Sequence, residues 1–255
     1  MSADKKLLPI TGLEVGRVPP SVLVCGDPAR ASKTAGHLDQ VELLSEQREF
    51  RTFRGDFEGM AVAVCSHGIG AAGAAIAFEE LIAAGARRLI RIGTCGGLQQ
   101  EVVDGDLVVA SAAVDTTGYG RQVAPPGYPA VAHWRLVQAL VAAAEDEGRR
   151  YHSGIVLTND HFYDGVETPY KPRYPTLSKA NVMAVEMECA ALFLVASLRQ
   201  VQAGAILAVD GNVLESRESM DSYDPHRSIV DEAVEAEIGI ALRALRSVHN
   251  GDRGK

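Results

Sequence analysis

Short apolar runs rich in Val and Ile alternate along the chain with longer segments rich in Ala and Leu. Residues 21–25 (SVLVC), 61–66 (AVAVCS), 88–92, 106–114, 153–157 and 203–209 are apolar runs of strand length, and several lead straight into glycine-containing loops. Such continuous runs fit strands covered on both faces. Residues 73–84 have helical spacing, with Ile76, Leu81 and Ile82 apolar and Glu79 and Glu80 beside them. Residues 133–147 before Gly148, residues 186–198 and the amphipathic residues 225–248 read as three more helices. Strand, loop, helix, strand in repetition predicts an α/β fold. The expectation is a single domain over residues 1–255, a three-layer α/β/α sandwich around a mixed, largely parallel central sheet. Ligands in such sheets gather at the carboxyl ends of strands. The loop-like stretches 116–129, 164–176 and 214–224 are candidate lids or pocket walls.

Composition and charge narrow the function. The 255 residues carry a net charge of −8, which argues against nucleic acid as the partner. No apolar run is long enough to suggest a membrane span, and the first residues, MSADKKLLPITG, lack the apolar stretch of a secretory signal. Cys25, Cys65, Cys95 and Cys189 lie far apart without metal-ligand spacing. Reduced thiols in a cytoplasmic protein, with no bound metal, are the expectation.

Four segments carry candidate chemistry. In residues 26–30 (GDPAR), Gly26 lets backbone N–H groups approach an anion and Arg30 can fork onto two of its oxygens; a tight turn with a surface arginine is the alternative. In residues 91–97 (RIGTCGG), Arg91 inside an apolar strand needs an anion or a carboxylate, Thr94 adds a hydroxyl, and the glycines admit a flat ring. In residues 185–192 (VEMECAAL), Glu186 and Glu188 flank Met187 at an expected helix start. A carboxylate there can accept two hydrogen bonds from a vicinal diol and the thioether can pack on a sugar; the alternative is a pair of acids favoured by the helix dipole. Asp210 at a strand end is a candidate general acid, or half of an Asp-Gly turn.

Taken together and in order, these segments resemble the nucleoside phosphorylase family of hexameric purine nucleoside phosphorylases and uridine phosphorylases. The resemblance extends over QREFRTFRG at 47–55, SHGIGAAG at 66–73, NDHFYDG at 159–165 and AVDGN at 208–212, and so over almost the whole chain. It implies reversible phosphorolysis, in which a nucleoside and inorganic phosphate give a free base and ribose 1-phosphate, with no metal or organic cofactor. It assigns Gly26, Arg30, Arg91 and Thr94 to phosphate, joined by Arg48 from a neighbouring subunit. Glu186, Met187 and Glu188 would hold the ribose. Cys95, Gly96, Phe162 and Val185 would border the base, and Asp210 would protonate it. A homo-oligomer follows from Arg48, and the family suggests a hexamer built as a trimer of dimers.

Three positions depart from the family pattern. Uridine-specific members read uracil with a Gln and an Arg shortly after the FY pair, where this chain has Val166 and Thr168. Their loss disfavours strict uracil selection and, with Asp210, points to a 6-oxopurine nucleoside such as inosine or guanosine. Many purine enzymes place a Ser before that Asp, whereas Asp210 stands between Val209 and Gly211. A histidine that reaches a neighbour's 5′-hydroxyl is replaced at or near Ile10. Uridine or broad purine/uridine phosphorolysis, and then methylthioadenosine phosphorolysis or nucleoside hydrolysis, are the alternatives. A non-catalytic nucleoside sensor is a further one, which the retained Arg30, Arg48, Arg91 and Asp210 disfavour.

Overall fold

All six expected strand segments form strands of one ten-stranded sheet in the computed structural model, which describes residues 6–163, 165–214, 224 and 227–253. The elements run β1 (Ser21–Cys25), α1 (Pro28–Ala35), β2 (Asp39–Gln47), β3 (Phe50–Phe57), β4 (Met60–Ser66), α2 (Ala71–Ala84), β5 (Arg88–Gly97) and β6 (Leu107–Asp115). They continue as α3 (Gly118–Val123), β7 (Ala130–Val131), α4 (Trp134–Glu147), β8 (Tyr151–Thr158), α5 (Tyr174–Lys179), β9 (Val182–Glu186), α6 (Cys189–Leu198), β10 (Gln202–Asn212) and α7 (Ser228–Arg253).

The centre of the sheet is parallel. β4, β1, β5 and β10 lie side by side and point the same way, so their carboxyl ends share one edge. Antiparallel pairings join β10 to β6 and β5 to β9, while β6, β8 and β9 are mutually parallel. Because β5 pairs with both β9 and β10, the strands β5, β9, β8, β6 and β10 close into a ring that gathers several strand ends around the site. The central strands alternate their burial as a two-faced sheet requires. Val22, Val24, Leu89 and Leu207 face the layer of α2 and α6, whereas Leu23, Ile90, Ile92 and Ile206 face the layer of α1, α4 and α7.

Several boundaries differ from the sequence expectation. The hairpin of β2 and β3 lacks an apolar run, because β2 is an edge strand in which Ser45 alone is buried. The expected glycine loop at 93–97 is strand instead, since Gly93 through Gly97 pair with β10. The helix expected from 186 begins at Cys189, because Val182–Glu186 pairs with β5 and β8. Short helices α3 and α5 begin inside the stretches read as loops at 116–129 and 164–176. The closing helix starts at Ser228, and most of the loop expected at 214–224 lies outside the described residues. No helix among the described residues is long and apolar enough to cross a membrane.

Candidate active site

The loop leaving β1 turns directly into α1. Asp27 caps that helix by accepting from the Ala29 N–H at 2.7 Å, and Pro28 supplies the first helical residue. Arg30 therefore stands on the first turn of α1, half-buried, and its Nη1 donates to Glu237 Oε1 at 3.3 Å. Backbone bonds from His67 N to Cys25 O and from Gly68 N to Gly26 O zip this loop to the one after β4.

Arg91 of β5 lies at the centre of the site, and only 4% of it is exposed. Its Nε donates to Glu186 Oε2 at 3.1 Å, its Nη2 meets Glu188 Oε2 at 2.5 Å, and its Nη1 lies 3.4 Å from His67 Nε2. Burial and the adjacent arginine hold the His67 imidazole well below its ordinary pKa, so the ring is neutral. With Nδ1 donating to Gly68 O at 2.8 Å, Nε2 is left as the acceptor for Arg91. The strand admits this guanidinium because residue 93 is glycine: a Cβ there would meet the Arg91 guanidinium carbon at 2.7 Å. Among the described residues these contacts use three of the five N–H groups of Arg91.

The two acids of the VEME segment have different surroundings. Glu186 ends β9, and its carboxylate accepts from Thr158 Oγ1 at 2.6 Å, from the Glu188 and Cys189 N–H groups, and from Arg91. Its lone pairs are spent on the start of α6 and on Arg91, which is the helix-start alternative and leaves little for a sugar. Glu188 accepts from the Gly70 N–H at 2.6 Å and pairs with Arg91. Burial pushes its carboxyl up while Arg91 opposes the shift. Met187 between them is half-buried.

Asp210 occupies a bulge. Val209 pairs with Cys95 and Gly211 with Gly96, so Asp210 is the extra residue between them, 7% exposed at the carboxyl end of β10. A bulge re-aims the side chain it carries. Arg227 Nη2 donates to the Asp210 carbonyl at 2.6 Å and also pairs with Asp104, which fixes this turn from beneath α7.

Gly96 pairs with Val185, so two of the expected base-side residues are neighbours. The Cys95 thiol points into the apolar layer of α2 and α6, which leaves only its backbone to border a ligand. Thr94 is half-buried on the same strand. Phe162 is 60% exposed and packs edge-on against Tyr163 at 5.2 Å. Val166 and Thr168 are exposed too. Arg48 is exposed at the β2–β3 turn with φ of 55°, and Ile10 donates its N–H to Glu80 Oε1 at 3.1 Å. An open cleft of about 600 Å³ lies beside Gly70, lined in part by Ile69, Tyr119, Gln122 and Asp160. His67, Thr158, Gly70 and Glu237 were not singled out in the sequence as site residues. The buried His67 stands in the quoted SHGIG segment, whereas nothing local marks Thr158 or Glu237.

The strand ends of this parallel-centred α/β sheet gather buried Arg91, half-buried Arg30, paired carboxylates and an Asp on a bulge, an arrangement able to hold an anion beside a polar ligand. The chain belongs to the phosphorylase superfamily, whose family model matches residues 20–246, and within it to the nucleoside phosphorylases. It is 35% identical over 237 residues to the guanosine phosphorylase of Halorubrum lacusprofundi, covering 92% of this chain and 97% of that relative. It is 36% identical to the uridine phosphorylase of Treponema pallidum, covering 88% and 91% of the two chains. The crystal structure of purine nucleoside phosphorylase from Toxoplasma gondii in complex with immucillin-H superposes with a TM-score of 0.90 at 33% identity, covering 98% of this chain and 100% of that one.

Proposed function

We propose that the protein phosphorolyses a purine nucleoside, inosine or guanosine, to the free base and ribose 1-phosphate. The observation that carries the purine reading is Asp210, a buried carboxyl on the β10 bulge beside Gly96 and, through it, Val185. When protonated, it donates to the purine N7 as the glycosidic bond breaks, so the charge developing on the base meets a donor already in place. Phosphate sits between Arg30 and Arg91, with Gly26 and Thr94 beside it. It supplies both the nucleophile and a charge opposite the oxocarbenium-like sugar. Glu188 accepts from the ribose hydroxyls, Met187 packs on the sugar, and Glu186 holds Arg91 and the start of α6. Gly96, Val185, the Cys95 backbone and Phe162 border the base. The scheme uses inorganic phosphate as co-substrate and no metal or organic cofactor.

In this reading the enzyme serves nucleoside salvage in the cytoplasm as a hexamer, a trimer of dimers, with Arg48 completing a neighbour's phosphate site. The exposed position of Arg48 supports this, as does the adjacent Glu49, which packs on Gly68 beside Ile69, an isoleucine that is 81% exposed. Four buried, unpaired cysteines suit a reducing compartment. Broad purine/uridine activity is the second reading, favoured by the Treponema relative. Comparing kcat/KM for inosine, guanosine, uridine and methylthioadenosine at saturating phosphate tests the assignment. Inosine or guanosine is expected to exceed uridine by about tenfold or more; uridine as the best substrate overturns the purine reading.

A further inference from the structure

Glu237 lies on the buried face of α7, more than 200 positions along the chain from the arginine it touches, and is fully buried. Its Oε1 accepts from Arg30 Nη1 at 3.3 Å. Among the described residues its Oε2 closes no hydrogen bond, although the backbone N–H groups of Gly93 and Ala208 face the carboxyl and favour its charged form. Its neighbours on α7, Ala233, Val234, Ile238 and Ala241, are buried and apolar. A carboxyl group held this sparsely destabilises a core that a leucine would fill well. The apolar neighbours give no reason for an acid here; the backbone N–H groups of Gly93 and Ala208 and the Arg30 guanidinium do.

We propose that Glu237 is the positioning residue for Arg30: from beneath, its carboxyl oxygen fixes the guanidinium so that the remaining N–H groups face phosphate. The inference rests on Arg30 binding phosphate, as in the reading above. Arg30 is anchored to a short helix by its backbone alone, and a long flexible side chain gains affinity when its rotamer is set in advance.

The protonation state of Glu237 then governs how much of the Arg30 charge the phosphate meets. Burial pushes Glu237 up to about 8, against Arg30 and Arg91, which lower it. Neutral, it still accepts from Arg30 through its carbonyl oxygen and leaves the guanidinium charge to the phosphate. Ionised, it neutralises Arg30 and repels a dianion. The groups facing this cluster are Arg30 from α1, Cys25 from β1, His67 after β4, Arg91 and Cys95 from β5, Glu186 and Glu188 on the far side of Arg91, and Asp210 from β10. Burial drives both thiols upward and keeps His67 neutral, and the acids beside Arg91 hold that arginine charged, while burial raises Glu237 to about 8.

The test is steady-state kinetics of the wild type, E237Q and E237L at pH 7 and 9, with phosphate and nucleoside varied in turn, using inosine or uridine, whichever turns over faster. E237L is expected to raise the phosphate KM about tenfold and leave the nucleoside KM within about twofold. E237Q keeps an acceptor for Arg30, so it restores the phosphate KM at pH 7 and loses the rise towards pH 9 that the wild type displays. If E237L fails to fold, the pH comparison of E237Q with the wild type decides. An unchanged phosphate KM in E237L, or the same alkaline rise in E237Q as in the wild type, overturns the inference. Wild-type turnover independent of phosphate overturns the phosphorolysis reading instead.

Discussion

Arg91, Glu186 and Glu188 form a buried trio with one positive and two negative groups, each no more than 4% exposed. Such a cluster is stable only with every acceptor used, and Glu186 meets that condition while Glu188 keeps capacity for a ligand. Glu186→Gln therefore acts on the fold: it removes the ion pair to Arg91 and an acceptor at the start of α6. A loss of about 2–4 kcal/mol follows, read as a clear fall in Tm. Glu188→Gln acts on the substrate as well as on the pair with Arg91, and a nucleoside KM raised at least about tenfold, more than its fall in Tm explains, is the expected outcome. Asp210→Ala should lower kcat for inosine by about a hundredfold or more while ribose 1-phosphate still binds; unchanged turnover removes Asp210 from the chemistry. Glu237 makes a prediction about stability. Its folded-state pKa is raised to about 8, above that of an ordinary carboxyl, so the folded state holds a proton that the unfolded chain has released. The wild type should therefore lose stability relative to E237Q as pH rises from about 5 to 8, by a few kcal/mol at most, with the difference between them constant below about pH 4. Thermal melts of both proteins across that range check the sign.

At the scale of elements, the β5 and β10 pairing does most to build the site. Gly93 and the Asp210 bulge lie on these adjacent strands, one admitting the Arg91 guanidinium and the other placing an acid between the Cys95 and Gly96 pairings. Gly93→Ala should displace Arg91 and reduce phosphate-dependent turnover at least about tenfold, more than its effect on Tm suggests; normal phosphate kinetics would contradict that role. The core strands were legible in the sequence because their continuous apolar runs are covered on both faces. The β2–β3 hairpin was not, since β2 is an exposed edge strand. The two acids of VEME were legible as a pair, but their division of labour was not. It depends on β9 ending at Glu186 and pairing with β5 and β8, a long-range register with no local signature. Glu237 was hidden for a similar reason: on the amphipathic α7 it reads as one more polar position, and only the packing of α7 beneath α1 and β5 turns it towards Arg30.

At the scale of the whole molecule, the sheet edge that carries the parallel strand ends gathers Arg30, Arg91, Glu188 and Asp210 from segments spread over most of the sequence. Arg48 stands apart from them, exposed on the β2–β3 turn. If a neighbouring subunit uses it, Arg48→Ala should raise the phosphate KM while light scattering still finds the same assembly; an unchanged KM argues for self-contained subunits. The central claim is that phosphate is the nucleophile. Proton NMR of the protein incubated with inosine, in phosphate and in phosphate-free buffer, tests it most directly. The account predicts ribose 1-phosphate and hypoxanthine in equal amounts with phosphate and no base release without it; free ribose formed at the same rate in both buffers would contradict it.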